Sequence, residues 1–174
     1  DNVMVNELPE FNTVTREVYQ KLEMAGTHLL RAIAVYLNLP ENYFDDKVYN
    51  GNSILRTLHY FGIEDPDALP PDAVRAGAHE DINLITLLIG ASADGLELLT
   101  RENTWFPVSA HGEDVVVNVG DMLQRLTNGK LKSTTHRVVN PPRELMNNSP
   151  YSVPFFLRSQ SNMGLTILDS CIDA

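Results

Sequence analysis

Three side chains in this sequence carry donor atoms suited to a transition metal, at positions where the chain can bring them together. His79 and Asp81 stand two residues apart at the head of the run 77–88, which from residue 82 is apolar except for Asn83 and Thr86. Such a run reads as an extended segment buried on at least one face. Residues i and i+2 of an extended segment leave the same face, so the imidazole and the carboxylate can converge on one point. His136 lies in a second β-like run, residues 131–139. Two imidazoles and one carboxylate form a facial triad, a donor set that holds Fe(II) and leaves positions open for substrate and oxygen. A His-x-Asp pair alone is more often a hydrogen-bonded loop feature. The specific context here is a pair opening one strand and a distal histidine on another. His28 on a long helix, His59 at a strand end and His111 in a polar loop read as structural or solvated.

The elements that must position this triad follow from periodicity. From Thr13, a plausible N-cap, the apolar residues Val14, Val18, Leu22, Ala25, Leu29, Ile33 and Leu37 recur every three or four positions. That pattern predicts an amphipathic helix over about 13–39, stopped by Pro40. Gly26 in its middle lowers helix propensity and marks close packing against a sheet. A short helical turn follows at 41–47. Strands are expected at 53–60, 96–100, 104–108, 115–119, 122–127, 131–139 and 151–157, with a weaker one at 164–168. Asn128-Gly129 reads as a two-residue hairpin turn, and Asn140-Pro141-Pro142 ends pairing because proline offers no ladder donor. The segments 65–77 and 143–150 read as loops. A helix followed by seven or more short strands predicts a mainly β protein with a flanking helix, an antiparallel sandwich or jelly roll. No linker divides it, so one domain is expected over 1–174, with its jelly-roll core at about 52–168.

Composition narrows the function classes. The 174 residues are 43% hydrophobic and 21% charged, as in a globular protein. The formal net charge of −10 argues against binding nucleic-acid phosphates or an anionic membrane. The single cysteine, Cys171, cannot close an intrachain disulfide, which favours a reducing compartment. No apolar stretch reaches membrane-spanning length and no signal peptide opens the chain. A soluble, cytoplasmic protein is expected.

These motifs also carry a resemblance. Residues 76–88, Ala-Gly-Ala-His-Glu-Asp-Ile-Asn-Leu-Ile-Thr-Leu-Leu, look like the first metal motif of the isopenicillin N synthase-like family of Fe(II)/2-oxoglutarate-dependent oxygenases. Residues 117–124, Asn128-Gly129 and residues 132–138 match the family's second half in order and spacing. Ser152-Val153-Pro154-Phe155-Phe156 resembles its final core strand. The likeness covers about residues 50–160. It implies a double-stranded β-helix, a distorted jelly roll, with iron held by His79, Asp81 and His136. It also implies 2-oxoglutarate as co-substrate, chelating the iron through its keto and C1-carboxylate oxygens. With O2 the co-substrate is decarboxylated to succinate while a small organic substrate is hydroxylated, desaturated or cyclised. Three protein ligands leave three positions of an octahedron, room for a bidentate chelate and oxygen. Glu80, between two ligands, should point away from the metal.

The chain departs from the family pattern in two ways. Family members have a region of about a hundred residues before the long helix and a helix after the last core strand, so a chain truncated at both ends is expected. The family also places an arginine two residues before the serine of the final strand, where it grips the distal carboxylate of 2-oxoglutarate. Here that position is Pro150, and a charge-assisted anchor is missing from it. Ser152 keeps a hydroxyl for the co-substrate. Arg125, expected on a neighbouring strand, is a candidate for the missing charge, and Arg56 is another. Two other functions stay open: an iron oxidase of the same family that needs no 2-oxoglutarate, and a non-catalytic metal-binding jelly-roll fragment.

Overall fold

Helix α1 spans Pro9–Tyr36, and Pro9 sits in its first turn, where a fixed φ helps and a missing N–H costs nothing. Leu8 therefore takes the N-cap position, ahead of the expected Thr13. The computed structural model describes residues 4–90, 95–108, 110 and 112–172; His111 lies outside them. The buried stripe of α1 is Leu22, Gly26, Leu30 and Ala34, one residue on from the expected Ala25 and Leu29, which are exposed. Gly26 causes that rotation. A Cβ there would lie 2.8 Å from Leu157 Cδ2 and 3.4 Å from Leu87 Cδ1, so the helix rests on the sheet along its glycine face. The helix ends before Pro40. Asn38 is left-handed (φ 57), its N–H donates to Val35 O at 3.0 Å, and the Leu39 N–H donates to Ala34 O at 2.9 Å. That pair of bonds is a Schellman stop. Helix α2, Asp45–Val48, follows and buries Phe44 and Val48 against α1.

Two antiparallel sheets form the body. In the first, β9 (Tyr151–Leu157) lies between β1 (Ile54–Leu55) and β4 (Ile85–Ile89), and β7 (Val116–Val119) closes the far edge. β2 (Leu58–His59) also pairs with β9. The expected strand 53–60 is thus two short pieces on one partner, bridged by the Arg56 N–H donating to Pro154 O at 3.0 Å. The second sheet runs β3 (Ala76–His79), β8 (His136–Val138), β5 (Leu96–Leu99), β6 (Trp105–Pro107). With the long helix outside, this is a double-stranded β-helix. Ile85, Leu87, Phe155 and Leu157 join the buried core with α1, and Tyr19 meets Phe155 edge-on with ring centres 5.1 Å apart. The opposite face of the same strands turns toward the second sheet.

Further expected strands differ. Residues 122–127 are helical, in α3 (Asp121–Leu126). Leu123 and Leu126, three apart, are its buried side chains, a spacing that suits a helix. Asn128-Gly129 is the stop of that helix, not a hairpin. Asn128 has φ 51 and Gly129 φ 76, with Asn128 N–H donating to Arg125 O and Gly129 N–H to Gln124 O. The run 131–139 pairs only at His136–Val138, because the Leu131 and Ser133 amides are spent on Thr127 Oγ1 and Gln124 Oε1. The weak strand at 164–168 does not form; the chain there leads to a 3-10 turn, Asp169–Cys171, that buries Cys171. No helix is long and apolar enough to cross a membrane among the described residues.

Candidate metal centre

His79 and His136 face each other across the β3–β8 ladder, where they are directly paired, with ring centres 4.3 Å apart. Directly opposed residues of an antiparallel pair share a face. Leu98 of β5 is opposite His136 on its other side, so both imidazoles stand on one face of the second sheet.

Asp81 reaches the same point from the other sheet. The segment expected as one continuous strand is two: β3 ends at His79 and β4 starts at Ile85. Between them the backbone is spent on the start of α3. The Asp121 N–H donates to Asp81 O at 2.9 Å and the Met122 N–H to Asn83 O at 3.1 Å, and Leu84 is the first residue to bond β9. The i and i+2 relation therefore does not arise from a shared strand face. His79 belongs to one sheet, and Asp81 is tied to the other through Thr86 and Asn118.

The three side chains converge. His79 Nε2 and His136 Nε2 each lie 3.8 Å from Asp81 Oδ1, and one ligand atom from each residue falls within 4.8 Å of the other two. Each remaining polar atom is engaged elsewhere. His79 Nδ1 is 2.7 Å from Gly77 O and His136 Nδ1 is 3.0 Å from Thr134 O. A carbonyl only accepts, so each Nδ1 carries the proton and each Nε2 presents its lone pair to the centre. Asp81 Oδ2 accepts from Thr86 Oγ1 at 2.6 Å and from Asn118 Nδ2 at 2.9 Å. Asn83 Nδ2 donates to Thr86 Oγ1 at 2.8 Å, which directs the threonine proton to Asp81. Oδ1 is thereby left facing the imidazoles. Two neutral nitrogen donors and one carboxylate oxygen suit a divalent cation of intermediate softness, and the orienting bonds are of the kind that hold metal ligands in place.

The site is open on one side. Asp81 is 6% and His136 13% exposed, whereas His79 is 47% exposed. Glu80 turns away as expected, its Oε1 accepting from Thr135 Oγ1 at 3.0 Å. His28 and His59 stay apart from the triad, His59 stacking on Tyr151 with ring centres 4.3 Å apart.

The co-substrate candidates are placed differently from one another. Ser152 is on β9 opposite Leu58. It shares the face of Phe156, which is opposite Thr86, and hence the face that holds Asp81. Arg125 is on α3, not on a strand, and is exposed. Its Nε donates to Leu165 O at 3.1 Å, and it lines an open groove of about 990 Å³ with Glu80, Gln124, Lys132 and Ser133 that does not include Ser152. Arg56 is exposed and lies opposite Pro154, its amide donating to the Pro154 carbonyl, on the Ser152 face.

The orienting residues Thr86, Asn83 and Asn118 are functional positions that sequence reasoning alone passes over. Their signal is visible, since each is a polar residue inside an apolar run. The carbonyls of Gly77 and Thr134 leave no trace in side-chain identity.

Known proteins resemble this chain in sequence and in fold. The sequence profile of the 2OG-Fe(II) oxygenase superfamily matches residues 51–159. A 2-oxoglutarate-Fe(II) type oxidoreductase, ppzD, from Metarhizium rileyi is 38% identical over 86% of this chain and 43% of its own length. A 2OG-Fe(II) oxygenase family protein from Caulobacter crescentus superposes with a TM-score of 0.91 at 46% identity, over 99% of this chain and 54% of its own. A full-length Neurospora crassa protein, solved in complex with α-ketoglutarate (2-oxoglutarate), superposes with a TM-score of 0.90 at 33% identity, over 97% and 56%. The chain spans about half the length of the curated relatives it matches.

Proposed function

The chain belongs to the 2-oxoglutarate–Fe(II) oxygenase superfamily, and from that premise we propose that it is the metal-binding core of a dioxygenase that oxidises a small organic molecule. One observation carries the reading: two imidazole Nε2 atoms and Asp81 Oδ1 meet at one point while every other polar atom of those side chains is engaged. His79, Asp81 and His136 would hold Fe(II). With 2-oxoglutarate and O2 bound, that iron supplies oxidising power through decarboxylation of the co-substrate to succinate.

The protein's own contribution is orientation and access. Gly77 O and Thr134 O fix the imidazole tautomers. Thr86 and Asn118 keep the carboxylate from rotating. The exposed edge of His79 leaves an approach for O2 and substrate, and Ser152 offers a hydroxyl on the sheet face that carries Thr86. Support for 2-oxoglutarate comes from the Neurospora crassa complex, which holds it on a closely similar fold.

The test is anaerobic titration with Fe(II), followed by oxygen uptake and succinate assays with 2-oxoglutarate present. One Fe(II) per chain and succinate release are expected from the wild type, and neither from Asp81→Ala. If Asp81→Ala holds metal as tightly as wild type, the ligand assignment is wrong. Oxygen uptake without succinate would replace the proposal with a 2-oxoglutarate-independent oxidase. Metal binding without either would leave a non-catalytic metal protein.

A further inference from the structure

The family pattern sets an arginine at position 150, where this chain has proline. The pairing of β2 with β9 shows what stands there instead. Leu58 is opposite Ser152 and His59 opposite Tyr151, and the ladder continues with the Tyr60 N–H donating to Pro150 O at 3.0 Å. Faces alternate along a strand. The stacked His59 and Tyr151 rings mark one face, so Leu58, Ser152, Tyr60 and Pro150 occupy the other. That second face is the one on which Phe156 lies opposite Thr86, and Thr86 holds Asp81.

A guanidinium lies against the Tyr60 ring, near position 150. Arg75 Cζ lies 5.5 Å from the centre of the Tyr60 ring, and its Nη2 donates to Asn148 O at 3.3 Å, two residues before Pro150. Arg75 immediately precedes β3, so the strand that ends at His79 also starts beside this charge. Its Nε is buried with no hydrogen-bond partner, and it makes no ion pair among the described residues. A buried guanidinium donor without an acceptor is costly, and a planar guanidinium fork matches a carboxylate in two hydrogen bonds.

We propose that Arg75 anchors the distal carboxylate of 2-oxoglutarate, together with the Ser152 hydroxyl, in place of the arginine absent from position 150. The inference rests on the reading of the triad as an iron and 2-oxoglutarate centre. It sets aside Arg125, whose Nε is committed to Leu165 O across a groove that lacks Ser152. It also sets aside Arg56, which shares the Ser152 face but offers no buried unsatisfied donor.

The experiment is an anaerobic titration of the Fe(II)-loaded chain with 2-oxoglutarate, following the metal-to-ligand charge-transfer band. A parallel titration uses 2-oxopentanoate, which chelates identically but lacks the distal carboxylate. Arg75→Gln should weaken 2-oxoglutarate binding by about ten- to a hundredfold. It should leave Fe(II) affinity and 2-oxopentanoate binding unchanged. Adding Pro150→Arg to that variant should recover 2-oxoglutarate binding. Unchanged 2-oxoglutarate affinity in Arg75→Gln overturns the inference, as does equal weakening of both acids, which would make Arg75 a merely structural residue. A loss seen in Arg125→Ala instead would also overturn it. No band from either acid in wild type that holds one Fe(II) overturns the underlying reading, and the inference with it.

Discussion

Asn118 Nδ2 donates to Asp81 Oδ2 at 2.9 Å, and through that bond the first sheet orients a carboxylate whose two companions stand on the second. The bond crosses 37 residues of sequence. It works with Thr86 Oγ1, which donates to the same oxygen at 2.6 Å. Neither residue touches the point where the ligand atoms converge; both decide which carboxylate oxygen faces it.

Removing either orienting donor should therefore cost metal affinity without costing the fold. Asn118→Ala is expected to weaken divalent metal binding about 10- to 100-fold, the range for residues that orient metal ligands. Thr86→Val, which keeps the branched shape on β4, should act in the same direction. Competition against a chromophoric chelator gives the affinities, and circular dichroism checks the fold. Wild-type affinity in both variants would mean that Asp81 needs no orientation from its sheet.

The same pair shows where sequence reasoning succeeds and where it stops. His79, Asp81 and His136 are legible as candidate ligands from residue type and the family likeness, although the single strand expected to join His79 to Asp81 is not there. The final strand 151–157 is legible as well, from its apolar run 153–157. The mechanism of convergence is not legible. A run such as 77–88 looks like one strand because most residues after Asp81 are apolar, yet Asp81 and Asn83 give their carbonyls to the start of α3. That diversion is tertiary and leaves no local pattern. Residues 122–127 fail for a related reason, since a six-residue stretch is too short to separate a period of two from one of 3.6. Asn128-Gly129 is a left-handed pair in either reading, and it ends a helix as readily as it turns a hairpin. Gly26 reads correctly because a glycine in mid-helix, costly to helix propensity, is kept where a neighbour approaches too closely for a side chain.

Gly120 offers a sharper test of that diversion. Its N–H donates to Leu84 O at 2.9 Å, and a Cβ at this position would fall 2.0 Å from Asn83 Oδ1 and 2.3 Å from Asn83 O. The obstacle includes backbone, so it cannot swing aside. Gly120→Ala should force α3 away from residues 81–84. Expected losses are about 1–3 kcal/mol of stability, typical of overpacking, together with weakened metal binding because Asp81 moves with the loop. Chemical denaturation and metal titration on the same preparation check both. A variant as stable as wild type with intact metal affinity would show that the α3 contact does not position Asp81.

Farther from the site, Arg31 joins α1 to α2 through a bidentate contact with Asp45. Nη2 lies 2.6 Å from Oδ2 and Nε 3.1 Å from Oδ1. The hydrogen bonds from Arg31, reinforced by its charge and by His28, hold the Asp45 carboxyl below the usual carboxylate range despite some burial acting the other way. A carboxylate with a depressed folded-state pKa stabilises the fold above its unfolded-state value, about 3.9, and loses that contribution as pH falls through the folded-state value. Asp45→Asn should accordingly lower Tm at pH 7. The gap to wild type should narrow as the pH is taken below about 4, and narrow also in about 1 M salt, which screens partly exposed pairs. Thermal melts across pH and salt measure it. A gap that stays constant from neutral pH into acid would assign the loss to the shape of the side chain rather than to its charge.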